Sequence, residues 1–237
     1  MNHLILVRHG ESVWNLEKRF TGWVDVELSE QGKLEACKAG ELIKKMDLII
    51  NNFFCSYQKR AIDTLNLILN ALNIKPNQII KAWELNERHY GELTGLNKNE
   101  MKKVYGEKKI HIFRRSWNIS PAPLDKKNPY HPLNIEIYKD IPKDKIPDTE
   151  SLKNTYERVI KYFEKNINDK IDKNVLVAAH GNSIRALCKY LFKINEKDIS
   201  KLEIPTGNPL VLEFNNRILK NARYLDKKRA KNLIVFS

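Results

Sequence analysis

Two histidines lie at the ends of two similar apolar segments. Residues 4–10 read LILVRHG, so that Arg8 and His9 follow four apolar residues. Residues 174–181 read NVLVAAHG, where His180 again follows an apolar run and precedes a glycine. A histidine after a strand is usually an ordinary loop residue, but an imidazole is also a common nucleophile. The repeated pattern favours one shared site over coincidence.

The apolar runs before these histidines predict the strands that position them. Runs that are apolar at every position are typical of strands buried on both faces of a parallel sheet. Such sheets bind ligands at the carboxyl ends of their strands, and Gly10 allows the backbone to turn sharply there because it has no Cβ. If both runs belong to one sheet, His9 and His180 meet at the same edge.

The rest of the chain alternates between helical and extended patterns. Apolar residues at helical spacing predict helices over 29–46 (capped by Ser29), 56–72 (capped by Ser56), 97–105, 108–117, 150–167, 183–193 and 195–202. Further strands are predicted over 52–55, 79–83, 210–214 and 222–225. This alternation predicts a three-layer α/β/α fold with a largely parallel central sheet.

One domain over residues 1–237 is expected, because no Gly/Ser-rich or charged linker divides the pattern. Six of the nine prolines fall within 118–147, which predicts a long irregular excursion of the kind that often forms a lid. From residue 226 the sequence DKKRAK predicts a flexible basic tail.

Composition excludes several classes of protein. With 42% hydrophobic and 30% charged residues, the chain is typical of a globular domain. No apolar run reaches the roughly 18 residues of a membrane span, and the first residues do not resemble a signal peptide, so a cytoplasmic location is expected. Cys37, Cys55 and Cys188 are widely spaced and the histidines show no paired ligand spacing, so no metal is expected.

The formal net charge of +13 attracts anions in general, including nucleic acids, acidic lipids and small phosphorylated metabolites. The lysines are scattered over the predicted helices, and no basic stripe with interleaved aromatic residues is present. The sequence therefore predicts neither a nucleic-acid nor a membrane partner.

Taken together, the motifs resemble the cofactor-dependent phosphoglycerate mutases of the histidine phosphatase superfamily. The Arg-His-Gly motif alone is typical of the superfamily, whereas the NERHYG run, the arginine pair and the excursion are typical of the mutases. The resemblance spans nearly the whole chain and rests on LVRHGES (6–12), WN (14–15), RFTGW (19–23), KRA (59–61), LNERHYG (85–91), GLNK (95–98), RRS (114–116), AHGNS (179–183), RA (185–186) and IPTG (204–207).

The resemblance implies reversible interconversion of 3-phosphoglycerate and 2-phosphoglycerate through a phosphohistidine, primed by 2,3-bisphosphoglycerate. It also implies a homodimer or a higher homo-oligomer, and a tail that closes over the site. His9 would be the nucleophile, with Arg8, Arg60 and His180 offsetting charge on the transferring phosphoryl group. Glu87 would be the general acid and base, although a salt bridge to Arg88 is an alternative role for it.

A substrate that carries both a phosphate and a carboxylate needs cations away from the transfer centre. Arg114 and Arg115 would bind that second anionic end. The other residues that the resemblance assigns to substrate binding are Asn15, Thr21, Gly22, Arg88, Tyr90, Lys98, Gly181 and Asn182.

Three alternative functions remain at this point. A phosphatase of the same superfamily would transfer the phosphoryl group from His9 to water. A bisphosphoglycerate synthase would use the same site and differ from a mutase only in the relative rates of the reactions. A basic nucleic-acid-binding or scaffolding protein with a degenerate mutase fold is the alternative from another class. The joint presence of His9, Arg8, Arg60, Glu87 and His180 argues against it.

Overall fold

The centre of the computed structural model, which describes residues 1–234, is a six-stranded sheet. Along the sheet the strands follow the order β3-β2-β4-β1-β5-β6. Their bounds are β1 (Asn2–Arg8), β2 (Asn52–Cys55), β3 (Ile80–Lys81), β4 (Val175–Ala179), β5 (Leu210–Asn215) and β6 (Ile218–Tyr224).

The sheet is parallel from β3 to β1. Strand β1 pairs in parallel with β4, so that Val7 lies opposite Ala178 and Arg8 opposite Ala179. β2 pairs in parallel with both β4 and β3, whereas β5 and β6 complete the other side of the sheet with antiparallel pairs. The predicted largely parallel sheet is therefore confirmed.

Helices cover both faces of this sheet. Alternate residues of β1 point to opposite faces, with Ile5 and Val7 packed against α2 and α3, and Leu4 and Leu6 packed against α6 and α7. This arrangement confirms the three-layer α/β/α prediction. The helices are α1 (Val13–Leu16), α2 (Glu30–Lys44), α3 (Lys59–Leu72), α4 (Lys98–Tyr105), α5 (Glu107–Arg115), α6 (Leu152–Tyr162) and α7 (Gly181–Leu191).

Caps explain where the helices begin. Ser29 caps α2 as predicted, since its side chain accepts a hydrogen bond from the backbone N–H of Gly32. The cap predicted at Ser56 was wrong, because α3 begins after Gln58 and the Ser56 hydroxyl contacts His180 instead. Helix α6 begins after Ser151 and not at Glu150, and it continues as one π-helical turn over Phe163–Ile167.

Three other predicted elements differ from the structure. The strand predicted over 79–83 is limited to Ile80–Lys81, because a 3-10 turn begins at Trp83. The helix predicted over 195–202 was wrong, because only the 3-10 turn Ile199–Lys201 forms there. The side chain of Asn195 accepts the backbone N–H of Asp198, which is a local alternative to helical hydrogen bonding. The last strand is longer than predicted and begins at Ile218 because it pairs with all of β5.

The proline-rich excursion over 118–147 has no long helix or strand among its residues, only the 3-10 turns Pro132–Asn134, Glu136–Tyr138 and Lys143–Lys145. Tyr138 fixes it to the rest of the chain, since this side chain is buried and its hydroxyl donates to the carbonyl of Trp23 at 2.5 Å. The excursion therefore packs behind the segment that contains Thr21 and Gly22.

The basic segment from Asp226 onwards contacts the body of the protein. Asp226 pairs with Lys38 at 2.5 Å, and the Arg229 guanidinium donates to Glu35 at 2.7 Å. The predicted flexibility of this tail and the single-domain organisation both stay predictions, and residues 235–237 of the tail lie outside the described residues. Over residues 1–234, no helix is both long and apolar enough to cross a bilayer.

Candidate active site

The parallel pairing of β1 with β4 places the two histidines together. The backbone N–H of His9 donates to the carbonyl of Ala179 at 3.0 Å, and the next residue of that segment is His180. Both rings are buried, and their centroids lie 5.0 Å apart at an interplanar angle of 58°. The meeting of His9 and His180 predicted from the two apolar runs is confirmed.

The His9 ring is held in one orientation by its own loop. Its Nδ1 lies 2.6 Å from the carbonyl oxygen of Gly10. Because a carbonyl oxygen only accepts hydrogen bonds, Nδ1 carries the proton and Nε2 keeps its lone pair. The loop must be tight here, since a Cβ on Gly10 would lie 2.1 Å from the carbonyl oxygen of Gly32.

His9 is a neutral imidazole. Burial lowers its pKa well below 6.5, the positive charges of Arg60 and Arg8 lower this pKa further, and the hydrogen bond to Gly10 acts in the opposite direction. A neutral imidazole can attack phosphorus without first losing a proton, so the surroundings of His9 suit a nucleophile.

We expect His9 to remain neutral at pH 6.5, where a histidine of a model peptide is about half protonated. The measurement is an NMR titration of histidine-labelled protein, with the His9 signal assigned by its loss in the His9→Ala variant. A His9 resonance that titrates at or above pH 6.5 would contradict the proposed effect of burial and of the two arginines.

A cavity of about 90 Å³ opens beside His9. Among the predicted site residues, only His180 and Arg88 do not line it. The lining residues are Arg8, His9, Asn15, Thr21, Gly22, Arg60, Glu87, Tyr90, Lys98, Arg114, Arg115, Gly181, Asn182 and Arg185. Residues from widely separated stretches of sequence are thus brought together beside His9.

The cavity is strongly cationic, which suits a ligand with more than one negative charge. Glu87 is the single carboxylate among its lining residues, whereas six lining side chains are basic. The N-terminus of α7 also lies at the cavity, where the helix dipole favours an anion. The six basic residues are Arg8, Arg60, Lys98, Arg114, Arg115 and Arg185.

Two of these arginines are held rigidly beside His9. Arg60 is 1% exposed and donates to the carbonyls of Val24 and Gly22, both at 2.9 Å. Arg8 donates from Nη1 to the carbonyl of Ile204 at 2.8 Å. The Nε atoms of both arginines are buried without a partner within residues 1–234, so each has an unused donor.

Glu87 is buried at the cavity wall, and its carboxylate is oriented by backbone donors. Its Oε1 accepts the N–H of Arg88 at 2.8 Å and the N–H of Asn182 at 3.1 Å. Burial alone would raise the pKa of Glu87, but these two hydrogen bonds and the charges of Arg8 and Arg60 outweigh it and lower the pKa below its usual value. The side chain is therefore an ionised carboxylate at neutral pH.

The Arg88 side chain points away from this carboxylate. Its Nη2 donates to the carbonyl of Phe113 at 2.7 Å, and its guanidinium lies 4.7 Å from the ring centroid of Tyr90. The alternative role of Glu87, a salt bridge to the Arg88 side chain, is therefore wrong. Arg88 lies behind Tyr90 and does not line the cavity.

Tyr90, Lys98 and Asn182 form one wall of the cavity. The Asn182 amide donates to the Tyr90 hydroxyl at 3.1 Å, and Lys98 donates to the carbonyl of Arg19 at 2.6 Å. Burial lowers the pKa of Lys98 to about 8. Tyr90 acts in the opposite direction, whereas the charge of Arg114 acts in the same direction as burial. A bound anion would restore the full charge of this amine.

Arg185 is a lining residue that the sequence analysis did not assign to the site. It is 4% exposed, and it donates to the side chain of Asn182 at 2.6 Å and to the carbonyl of Leu202 at 3.0 Å. Its position three residues after Asn182 on a helix was the available signal, because residues at that spacing share a helix face. No group of histidine, cysteine and acidic side chains suited to a metal ion occurs within residues 1–234.

Comparison with curated proteins gives relatives of high similarity over the full length. The chain is 62% identical to a 2,3-bisphosphoglycerate-dependent phosphoglycerate mutase of Pelagibacter ubique (strain HTCC1062), with all of both chains covered. It is 47% identical to the protein of the same name from Maricaulis maris (strain MCS10), with 98% of each chain covered.

Solved structures show the same fold at much lower identity. A putative alpha-ribazole-5'-P phosphatase from Escherichia coli str. K-12 superposes with a TM-score of 0.71 at 18% identity, covering 98% of this chain and 99% of that one. A mycobacterial glucosyl-3-phosphoglycerate phosphatase superposes with a TM-score of 0.67 at 21% identity, covering 94% and 97% of the two chains.

The family model of the histidine phosphatase superfamily (branch 1) matches residues 4–129 and 127–226. This match includes both histidine motifs, and together with the two curated relatives it confirms the resemblance found in the sequence. The chain belongs to the histidine phosphatase superfamily, and within it to the 2,3-bisphosphoglycerate-dependent phosphoglycerate mutases.

Proposed function

We propose that this protein interconverts 3-phosphoglycerate and 2-phosphoglycerate through a phosphohistidine at His9, primed by 2,3-bisphosphoglycerate. The observation that carries the proposal is the cavity beside His9, where six basic side chains surround one carboxylate. The unpaired buried donors of Arg8, Arg60 and Thr21 fit a ligand that brings phosphate oxygens to the site. The 62% identity to a curated mutase supports the same reaction.

In the transfer step, the Nε2 lone pair of His9 forms a bond to phosphorus while the bond from phosphorus to the substrate oxygen breaks. Arg8 and Arg60 flank the ring and offset the charge spread over the phosphoryl oxygens. His180, 5.0 Å from His9 between ring centroids, donates to the same oxygens. The reverse step returns the phosphoryl group from His9 to the other hydroxyl of the bound three-carbon acid.

Glu87 moves the proton that this exchange requires. As an ionised carboxylate it first removes the proton of the hydroxyl that attacks His9-bound phosphorus, and it then gives that proton to the substrate oxygen that leaves phosphorus in the next transfer. Its two backbone hydrogen bonds hold only Oε1, so Oε2 remains available to the substrate.

The bound acid must stay in the cavity while it turns between the two transfer steps. Arg114 and Arg115 hold its other anionic end, and Arg88 supports Tyr90 from behind and does not touch the substrate. The remaining substrate contacts come from Asn15, Thr21, Gly22, Tyr90, Lys98, Gly181 and Asn182.

Replacement of both Arg114 and Arg115 by alanine should weaken substrate retention. Hydrogen bonds to charged groups are worth about 1.5–3 kcal/mol each, so loss of one from each arginine should raise KM on the order of 10²- to 10⁴-fold. Early loss of the bound acid exposes the phosphohistidine to water, so released inorganic phosphate should increase relative to mutase product. Both quantities are measured in one steady-state assay.

The matched control is Lys103→Ala with Lys108→Ala, which removes two exposed cations from α4 and α5 outside the cavity. The control should leave both KM and the phosphate ratio unchanged. An unchanged ratio in the arginine variant would argue against the retention role.

The direct test of the function combines two assays. The protein is incubated with 2,3-bisphosphoglycerate labelled in its phosphate groups and examined for acid-labile label, and conversion of 3-phosphoglycerate is followed with and without that primer. We expect labelled protein and primer-dependent formation of 2-phosphoglycerate. Release of inorganic phosphate without 2-phosphoglycerate would instead indicate a phosphatase.

We also propose a homodimer or a higher homo-oligomer in the cytoplasm that needs no metal and binds no nucleic acid or membrane. The oligomer is what the family resemblance implies, and the other proposals rest on the composition and motif spacing of the sequence. Light scattering gives the oligomeric state, and filter binding at low salt tests for retention of RNA or DNA.

A further inference from the structure

A largely buried arginine on α6 binds the segment that carries Glu87. The Arg158 side chain is 10% exposed, and its guanidinium pairs with the carboxylate of Glu150, which is 4% exposed. Nε donates to Oε1 of Glu150 at 2.7 Å, and Nη2 donates to Oε2 at 2.9 Å. Two such parallel hydrogen bonds fix both the position and the plane of the guanidinium.

The other N–H groups of Arg158 bind backbone carbonyls beside Glu87. Nη1 donates to the carbonyls of Glu84 at 2.6 Å and Asn86 at 3.0 Å, and Nη2 donates to the carbonyl of Glu87 at 3.0 Å. A guanidinium has five N–H groups, and with the two bonds to Glu150 all five are used. Within residues 1–234 no other donor contacts these three carbonyls, so Arg158 alone satisfies them.

Glu150 holds the same segment on the other side of Glu87. Its Oε2 also accepts the backbone N–H of His89 at 2.8 Å, and its own backbone N–H donates to the carbonyl of His89 at 3.1 Å. Because this ion pair is shielded from water, its hydrogen bonds are stronger than exposed ones. The backbone is thus held before and after Glu87 by one ion pair.

The remaining backbone group of Glu87 is bound as well. Its N–H donates to the side chain of Gln58, a buried residue that precedes α3, at 2.9 Å. The N–H and the carbonyl of Glu87 are therefore fixed by side chains from two different helical regions. A group that exchanges protons must stay within hydrogen-bonding reach of the substrate oxygen, so this restraint bears directly on the carboxylate.

We propose that Arg158 is a positioning residue that keeps the Glu87 carboxylate at the cavity, with Glu150 holding its guanidinium. Arg158 does not line the cavity beside His9, so it acts through Glu87 and does not touch the substrate. An ion pair that served only the fold would need no contact with this segment, whereas three of the five bonds go to its carbonyls. The catalytic consequence rests on the proposed function, whereas the restraint on the backbone does not.

The restraint is measured by amide hydrogen exchange of the full-length protein in peptides that cover residues 84–91. Arg158→Lys keeps a positive charge beside Glu150, but an ammonium has only three N–H groups and no planar fork. Since a hydrogen bond to a charged group is worth about a factor of ten or more, we expect exchange in this segment to be about 10-fold faster. Arg158→Met removes all five bonds and should exchange faster still.

The matched control is Lys161→Met, which removes an exposed cation three residues further along α6. Exchange over residues 84–91 should be unchanged in this variant. Arg158→Lys protects the test from a loss of folding, because Arg158→Met leaves the buried charge of Glu150 unpaired. Equal exchange in the wild type and Arg158→Lys, or equal acceleration in the control, would overturn the inference.

Kinetics test the catalytic consequence separately. A misplacement of about 1 Å can cost on the order of 10²-fold, so we expect kcat to fall about 10-fold in Arg158→Lys and about 10²-fold in Arg158→Met, with little change in KM. When Glu87→Gln is already present, either substitution should cost little more, because the group that Arg158 positions no longer transfers a proton.

Three outcomes separate the possible roles. Losses that multiply in the double variants would show that Arg158 acts independently of Glu87 and would overturn the positioning role. The same holds for an active mutase in which Arg158→Lys and Arg158→Met leave kcat unchanged. Faster exchange of the segment in a protein without mutase activity would support the restraint and contradict the proposed function.

Discussion

The His9→Ala variant should lose both phosphorylation by 2,3-bisphosphoglycerate and all mutase turnover. No other side chain at the cavity can supply an unprotonated nitrogen in the same place, because the other lining nitrogen groups are guanidinium, ammonium or amide groups. The nearby His180 cannot replace it, since its Nε2 is bound to Ser56. We therefore expect no acid-labile label on the variant.

The comparison for this experiment is His111→Ala, which removes an exposed histidine outside the cavity and should label normally. Circular dichroism of both variants establishes that the fold is retained. If acid-labile phosphate persisted on the His9→Ala variant, another residue would be the nucleophile.

The second large effect is expected for Glu87→Gln. The new amide oxygen can still accept the N–H groups of Arg88 and Asn182, so the loop should keep its conformation. The variant loses the negative charge of the carboxylate and with it the ability to take up and release a proton. Since general acid and base catalysis contributes about 10²- to 10⁴-fold, we expect a loss of that size in kcat with a modest change in KM.

Glu35→Gln is the matched control for this substitution. Glu35 is a buried carboxylate with the same 8% exposure as Glu87, and it also accepts a backbone N–H, from Glu11 at 2.9 Å, but it does not line the cavity. Its turnover should remain close to that of the wild type. A loss in Glu87→Gln that is confined to KM would show that the carboxylate binds substrate and transfers no proton.

The sequence was most informative where a local pattern has one physical meaning. The fully apolar runs before His9 and His180 indicated neighbouring buried strands, and their parallel pairing follows from that burial. Ser29 could be recognised as a cap because its contact is made within its own helix. The positions of most cavity residues followed from the family resemblance. That resemblance implies contacts between distant segments, which no local pattern contains.

The features that could not be predicted depend on contacts between distant segments. Ser56 has the residue type of a helix cap, but its hydroxyl binds a ring 124 positions further along the chain. Arg88 lies next to Glu87 in the sequence, yet its side chain reaches Phe113. Arg185 lines the cavity because α7 begins there. The packing of this helix against distant segments determines which residues surround Arg185.

The strand order has a consequence for synthesis of the protein on the ribosome. Strand β1 is made first, but its neighbours in the finished sheet are β4 and β5, which are made only after the first 174 residues. At about 5–20 residues per second, the apolar segment of β1 waits roughly 10–30 s before Val175 is made. During this interval it must be covered by non-native contacts or by a chaperone, since an unpaired apolar strand promotes aggregation. His9 is therefore present from the start of translation, while His180 is added only when three quarters of the chain exists.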